Sequence, residues 1–319
     1  GSGSFARAPG GLYWAAESRA PREASECTGP GPSAASRPPV RVATMAVLST
    51  MAAFWPASSW PVTFVACSGG FENMVYAFGF GYGLSMMANA GLTAVIARHK
   101  HKAVTPFGLA CCGLYALYGL RLTTYELRRN SEPSYAPRLE SLQLKSDMMG
   151  LGPKFAIVAG VSFAQALYAL PLAIATSPTA ARARPLLRGL GWAGVGISAA
   201  GLLLEHLADE QKLAGKRADP KGPVMDGLYS YLKHPNYFGE ILFHCGISCM
   251  GISGTPMQVF ACIFPTFFMA FTLQNAARRS DREADHKYKR IDGYAEWSTT
   301  TPVLLPGLRG VAPPGEGAA

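Results

Sequence analysis

The sequence predicts an all-α fold, a multi-pass transmembrane helical bundle of about seven helices, and three observations predict it. First, the 49 charged side chains are unevenly spread: segments 45–71, 73–97, 103–120, 155–181, 189–204 and 241–277 contain no Asp, Glu, Lys or Arg. These segments hold 150 residues, so every charge falls in the other 169. Second, several segments reach the roughly 20 apolar residues that cross a bilayer. Third, Lys and Arg cluster beside them, where they anchor to headgroups, and this accounts for a net charge of +9. The pattern excludes an ordinary soluble enzyme, a coiled coil and a disulfide-rich secreted domain.

Residues 1–44 are rich in Gly, Pro, Ser and Ala, a composition that buries no core and predicts disorder. The opening Gly-Ser-Gly-Ser reads either as an expression-tag remnant before a start at Met45, or as part of an organelle transit peptide. Helices are expected at 46–68, 73–97, 104–121, 155–176, 187–207, 236–252 and 257–277. Pro56 and Pro61 interrupt the first, which is expected to be kinked or re-entrant. The last uncharged segment is too long for one span and breaks at Gly251-Ile252-Ser253-Gly254-Thr255-Pro256. Segment 45–150 is therefore expected to hold N-terminal membrane helices and a basic loop, 151–307 a membrane domain with the chemistry-bearing motifs, and 308–319 a disordered tail.

Seven spans put the 1–2, 3–4 and 5–6 loops and the C-terminal tail on one face, with 18 of the 29 Lys and Arg residues. The positive-inside rule assigns that face to the cytosol. The cysteines show no zinc or CxxC spacing and read as small helix-packing residues. No nucleic-acid module is recognisable, so no nucleic-acid partner is expected, and no metal. The oligomeric state is open.

Three charged blocks carry the candidate chemistry. In Gly227-Leu228-Tyr229-Ser230-Tyr231-Leu232-Lys233-His234-Pro235-Asn236-Tyr237-Phe238-Gly239-Glu240, Pro235 suits a first helical turn, whose free amides favour anions. Asn236 and Glu240 share a helix face. Glu240 lies inside the apolar boundary, where a lone carboxylate costs about 2.5–3.5 kcal/mol, so a polar partner is expected. Read singly, His234 and Asn236 are equally well helix caps, and Glu240 half of an ion pair. Upstream, Glu205, Asp209 and Lys212 share one face of a helix leaving the membrane; alone they read as a solvated end with an internal ion pair. Downstream, Arg278, Arg279 and Arg282 can clamp phosphates or simply anchor the last span, and Tyr288 follows.

These blocks, in this order, resemble the steroid 5-alpha-reductase C-terminal superfamily, in particular its largely uncharacterised multi-pass branch. The resemblance rests on Ala208-Asp209-Glu210-Gln211-Lys212, on the 227–240 run, and on Gly293-Tyr294-Ala295-Glu296-Trp297 before Pro302. Weaker echoes are Arg121, Arg128-Arg129-Asn130, Tyr135, Gln165 and Pro171. The resemblance implies an integral-membrane oxidoreductase of lipid metabolism that takes NADPH from the cytosolic side and saturates a carbon–carbon double bond of a sterol, steroid-like enone, isoprenoid or fatty enone. It implies cofactor contacts from Asp209, Asn236 and Arg279 or Arg278, with Lys212, Tyr231, Lys233, His234, Tyr237, Glu240 and Tyr288 beside them. The usual Ser-Arg before His-Pro is Leu232-Lys233 here, which keeps the charge but loses the planar fork. Catalysis also needs a group that polarises the substrate, and Glu72 with Tyr76 are the candidates, although Glu72 reads more readily as a headgroup-level carboxylate. Relatives point to the endoplasmic reticulum, and a transit peptide would point to a plastid or mitochondrion. Two alternatives stand beside the reductase: a membrane methyltransferase of the isoprenylcysteine or phospholipid type binding S-adenosylmethionine, and a non-catalytic subunit of a membrane complex.

Overall fold

The computed structural model describes residues 59–305. The expectations for 1–44, for most of the first helix and for 308–319 fall outside them. Among the described residues every regular element is helical, as expected of a multi-pass helical membrane bundle. Helix α1 covers 59–66 and leads through a 3₁₀ turn into α2 (Met74–Phe78) and α3 (Phe80–His101). Then come α4 (Pro106–Asn130), α5 (Ala136–Asp147), α6 (Leu151–Leu167), α7 (Ala169–Ala175) and the short α8 (Pro178–Ala181). Helices α9 (Pro185–Ala218), α10 (Pro235–Met250), α11 (Pro256–Tyr288) and α12 (Tyr294–Thr300) complete the fold.

Among the described residues four stretches are long and apolar enough to cross a membrane: Met74–His101, Leu151–Ala175, Pro185–Ala218 and Pro256–Tyr288. The starts obey local chemistry. Thr105 caps α4 by accepting from the Gly108 amide at 3.0 Å, and Thr255 forms a capping box with Gln258 at α11. Proline occupies the first turn of α4, α9, α10 and α11, where its missing N–H costs nothing. The break between α10 and α11 falls in the expected 251–256 turn.

The ends differ from expectation. Helices α4, α9 and α11 run on to Asn130, Ala218 and Tyr288, where the apolar pattern had placed ends at 121, 207 and 277. Helical hydrogen bonding does not need lipid, and the Arg, Glu, Lys and Gln that follow the apolar segments are themselves good helix formers. Helix α9, with 34 residues, is about 51 Å long at 1.5 Å per residue. All three overruns lie on the basic face, so the charged blocks stand on rigid helices there. Part of the 3–4 loop is also helical, as α5.

Close backbone approach holds the centre. A Cβ on Gly239 would meet the Glu205 amide at 2.6 Å, and one on Gly194 would meet the Cys249 Cβ at 2.7 Å, so α9 and α10 touch backbone to backbone. Ser198 on α9 donates to the Phe243 carbonyl on α10 at 2.8 Å. Around this seam α3, α4, α7, α9 and α10 share one core, including Met86, Tyr115, Leu172, Leu202 and Ile247. The six described cysteines are all free.

Candidate functional site

The overrunning helices build a polar centre at the basic end of the bundle. Helix α4 presents Arg121, Tyr125, Glu126 and Arg129 on one face, as their spacing requires. Arg121 reaches across to α9, where one guanidinium nitrogen donates to Glu205 Oε1 at 2.6 Å and another to Asp209 Oδ2. Arg129 pairs with Glu126 and lies over the Tyr135 ring at 4.6 Å. Glu205 and Asp209 are 4% and 3% exposed, and two carboxyl groups so deeply buried are tolerable because the planar guanidinium reaches both at once.

Helix α10 enters this centre with its first turn. Asn236 donates from Nδ2 to the other oxygen of Asp209, Oδ1, at 3.1 Å. Glu240, one turn deeper, is within electrostatic reach of Asp209, Arg121 and Glu126. His234 precedes α10 without capping it by its side chain: its Nε2 meets Asp281 Oδ1 of α11 at 2.8 Å, and its ring stacks on Tyr237 at 5.1 Å. Burial holds the His234 imidazole below the usual histidine range, partly offset by Asp281. Tyr229 donates to the Ala208 carbonyl at 3.2 Å, and burial pushes its phenol well up.

The C-terminal segment closes over this entry. The Lys233 and His234 amides donate to the Pro302 and Val303 carbonyls at 2.9 and 3.2 Å, and Trp297 Nε1 donates to the Tyr229 carbonyl at 2.8 Å. Lys233 lies 5.9 Å over the Trp297 ring. Gly227, at φ +63°, makes the turn that lets the Leu228 amide reach Gln211 Oε1 at 2.9 Å. Lys216 joins α9 to α11 through the Tyr288 hydroxyl at 2.9 Å.

Asp209, His234, Asn236, Tyr237 and Glu240 thus come together. Lys212 and Lys233 are half-buried beside them, and exposed Arg279 lies within electrostatic reach of Tyr237. Arg278 and Tyr231 are exposed, and Tyr288 stands at the far edge with Lys216. The Glu72 side chain is exposed while its carbonyl accepts from Gln143 and Ser146 of α5, and Tyr76 packs on Phe80. Glu205 and Asp209 do not form the internal pair with Lys212 that their spacing suggested, because Arg121 from α4 takes both.

In the sequence Arg121 and Arg129 stand only as weak echoes of the resemblance; the role of Arg121 as the hub, with Tyr125 and Glu126 around it, is not legible there. Their i, i+4, i+5 and i+8 spacing was the available signal, hidden by ending the helix at the first charge. Two acceptors in this centre remain without a partner although buried: Asn236 Oδ1 and Glu205 Oε2. Orphaned acceptors are costly in a low-dielectric interior and mark a place where a hydrogen-bonding ligand gains.

The chain belongs to the family described as protein of unknown function (DUF1295), whose profile matches residues 74–301. No curated protein and no solved structure matches it.

Proposed function

We propose that this DUF1295 member is an integral-membrane, NAD(P)H-dependent reductase acting on a carbon–carbon double bond of a lipophilic substrate, a sterol, steroid-like enone, isoprenoid or fatty enone. The observation that carries the reading is the Arg121–Glu205–Asp209–Asn236 centre, with its orphaned acceptors, at the one end of the bundle where the basic side chains gather. The similarity of the 208–212, 227–240 and 293–297 blocks to steroid 5-alpha-reductase-like proteins supports it from the sequence.

The residues present fit a dinucleotide by division of labour. The inner carboxylates are already compensated by Arg121 and Arg129, so phosphates belong at the rim, with Lys212, Lys233, Arg278 and Arg279. Asn236 Oδ1 and Glu205 Oε2 suit an amide or ribose hydroxyl, which supply the donors these oxygens lack. The cofactor supplies the hydride; the chain's tasks are to hold it at the charged end, to exclude water with the 301–305 segment, and to admit the substrate from the bilayer.

Titration of the detergent-purified protein with NADPH, followed by thermal unfolding, tests the reading. A stabilising shift is expected, and its loss in Asn236→Ala and Asp209→Ala. A shift with S-adenosylmethionine alone would overturn the reductase in favour of the methyltransferase, and no shift with either would favour the non-catalytic subunit.

A further inference from the structure

The end of the bundle away from the polar centre has the opposite charge problem. Its turns and first helical residues, 98–105, 176–190 and 251–258, hold Arg98, Lys100, Lys102, Arg182, Arg184 and Arg188 and no Asp or Glu. At the polar centre's end the arginines find carboxylates within the chain: Arg121 takes Glu205 and Asp209, Arg128 takes Glu210, and Arg217 takes Glu132. Arg182, Arg184 and Arg188 are exposed, and among the described residues their side chains have no hydrogen bond or ion pair. The positive-inside rule does not account for them, because it places this end outside the cytosol. Their counter-charge has to come from outside the protein.

Two of these arginines line a cleft. It has a volume of about 460 Å³, and its walls include Thr179 and Arg182 of the α8 segment, Arg184, and Ser253 of the α10–α11 turn. The Ser253 hydroxyl is buried and makes no hydrogen bond. Arg184 is also the residue before α9, where no side chain caps the helix and the first-turn amides favour an anion. Arg188 follows Arg184 by one turn and shares its face. The first two turns of α9 and α11, the helices that start beside the cleft, expose Leu186, Leu190, Met257 and Phe260.

A charged phosphodiester above hydrocarbon fits this combination. A guanidinium pairs with two phosphate oxygens at once, a hydroxyl donor adds a further contact, and the exposed apolar side chains lie beside acyl chains. We propose that the cleft binds the headgroup of an anionic phospholipid from the leaflet that this end meets, with the phosphate between Arg182 and Arg184 and the Ser253 hydroxyl donating to it. The lipid then bridges the α8–α9 segment to the α10–α11 turn. The site stands apart from the reductase reading, since Asp209 and Asn236 lie at the other end of the bundle.

Native mass spectrometry of the full chain, released from micelles with equal phosphatidylcholine and phosphatidylglycerol, tests this. Retention of phosphatidylglycerol over phosphatidylcholine is expected. Arg182→Gln with Arg184→Gln should raise the phosphatidylglycerol concentration for half-retention about thirtyfold, the contribution of two basic side chains at a membrane surface. Ser253→Ala should raise it about fivefold, the loss of one hydrogen bond. Neither arginine has a partner within the described chain, so the double variant should unfold at the wild-type temperature in phosphatidylcholine alone. Should it unfold early, Ser253→Ala, which keeps every charge, carries the test. Arg98→Gln with Lys102→Gln removes the same charge from the same end outside the cleft and should leave retention unchanged. Equal loss in the two double variants would mean diffuse attraction by the whole end and overturn the proposal, as would equal retention of the two lipids. Displacement of the lipid by inorganic phosphate at equal concentration would overturn it in favour of a free anion. A missing NADPH shift with lipid retention intact would bear on the reductase alone.

Discussion

The two ends of the bundle solve different problems. At the end formed by the 98–105, 176–185 and 251–255 turns, helices stop close to their apolar limits and begin again with local devices: Thr105 and Thr255 caps and first-turn prolines. At the opposite end α4, α9 and α11 overrun, and their charges meet in three dimensions around Arg121. A cap satisfies its own helix, whereas Arg121, Glu205, Asp209 and Asn236 satisfy one another across three helices. The first end should therefore fail locally and the second as a unit.

The strongest way to break this contrast is Arg121→Ala. It strands Glu205 and Asp209 without their cation, and the expected loss is about 3–5 kcal/mol together with the NADPH shift. Thermal unfolding with and without NADPH reads both, and a stable variant that still responds to NADPH would show that Arg121 is not the hub. Arg121→Lys should recover only part, because one ammonium does not reproduce the two-pronged contact.

A smaller effect is expected at the seam between the ends. Gly246→Val places side-chain atoms against Ser198 and the Gly194 carbonyl of α9, and overpacking of this kind costs about 1–3 kcal/mol. The midpoint of unfolding should fall while the response to NADPH persists in the folded fraction. Smaller again, Thr255→Ala should cost about 1 kcal/mol through its cap and leave the NADPH shift untouched. A change in that shift would mean that the two ends are coupled.

Acidification gives the most graded test. Burial lowers the His234 pKa from its ordinary 6.5, so between the lowered value and 6.5 the unfolded chain binds more protons than the folded one. Stability is then present in full above about pH 6.5 and falls as pH drops through that window. The unfolding midpoint should decline on acidification, and His234→Gln should flatten the decline. An identical slope in the variant would assign it to other groups.

The charge-free segments by themselves determined the bundle, its turns at proline and glycine, and which end gathers the cations, because the bilayer imposes a length and polarity rule on every span. The 236, 240 spacing likewise placed Asn236 and Glu240 on one face of α10. Three things were decided only by tertiary structure. Arg121 becomes the partner of Glu205 and Asp209 because α4 continues beyond its apolar segment and packs beside α9, a contact between residues more than 80 positions apart. The Glu72 carbonyl is held by Gln143 and Ser146 because α5 folds back over it. Tyr82 and His244 meet because small residues let α3 and α4, and α9 and α10, approach closely. Local spacing fixes what one helix presents to its surroundings; only packing decides which helix is there to receive it.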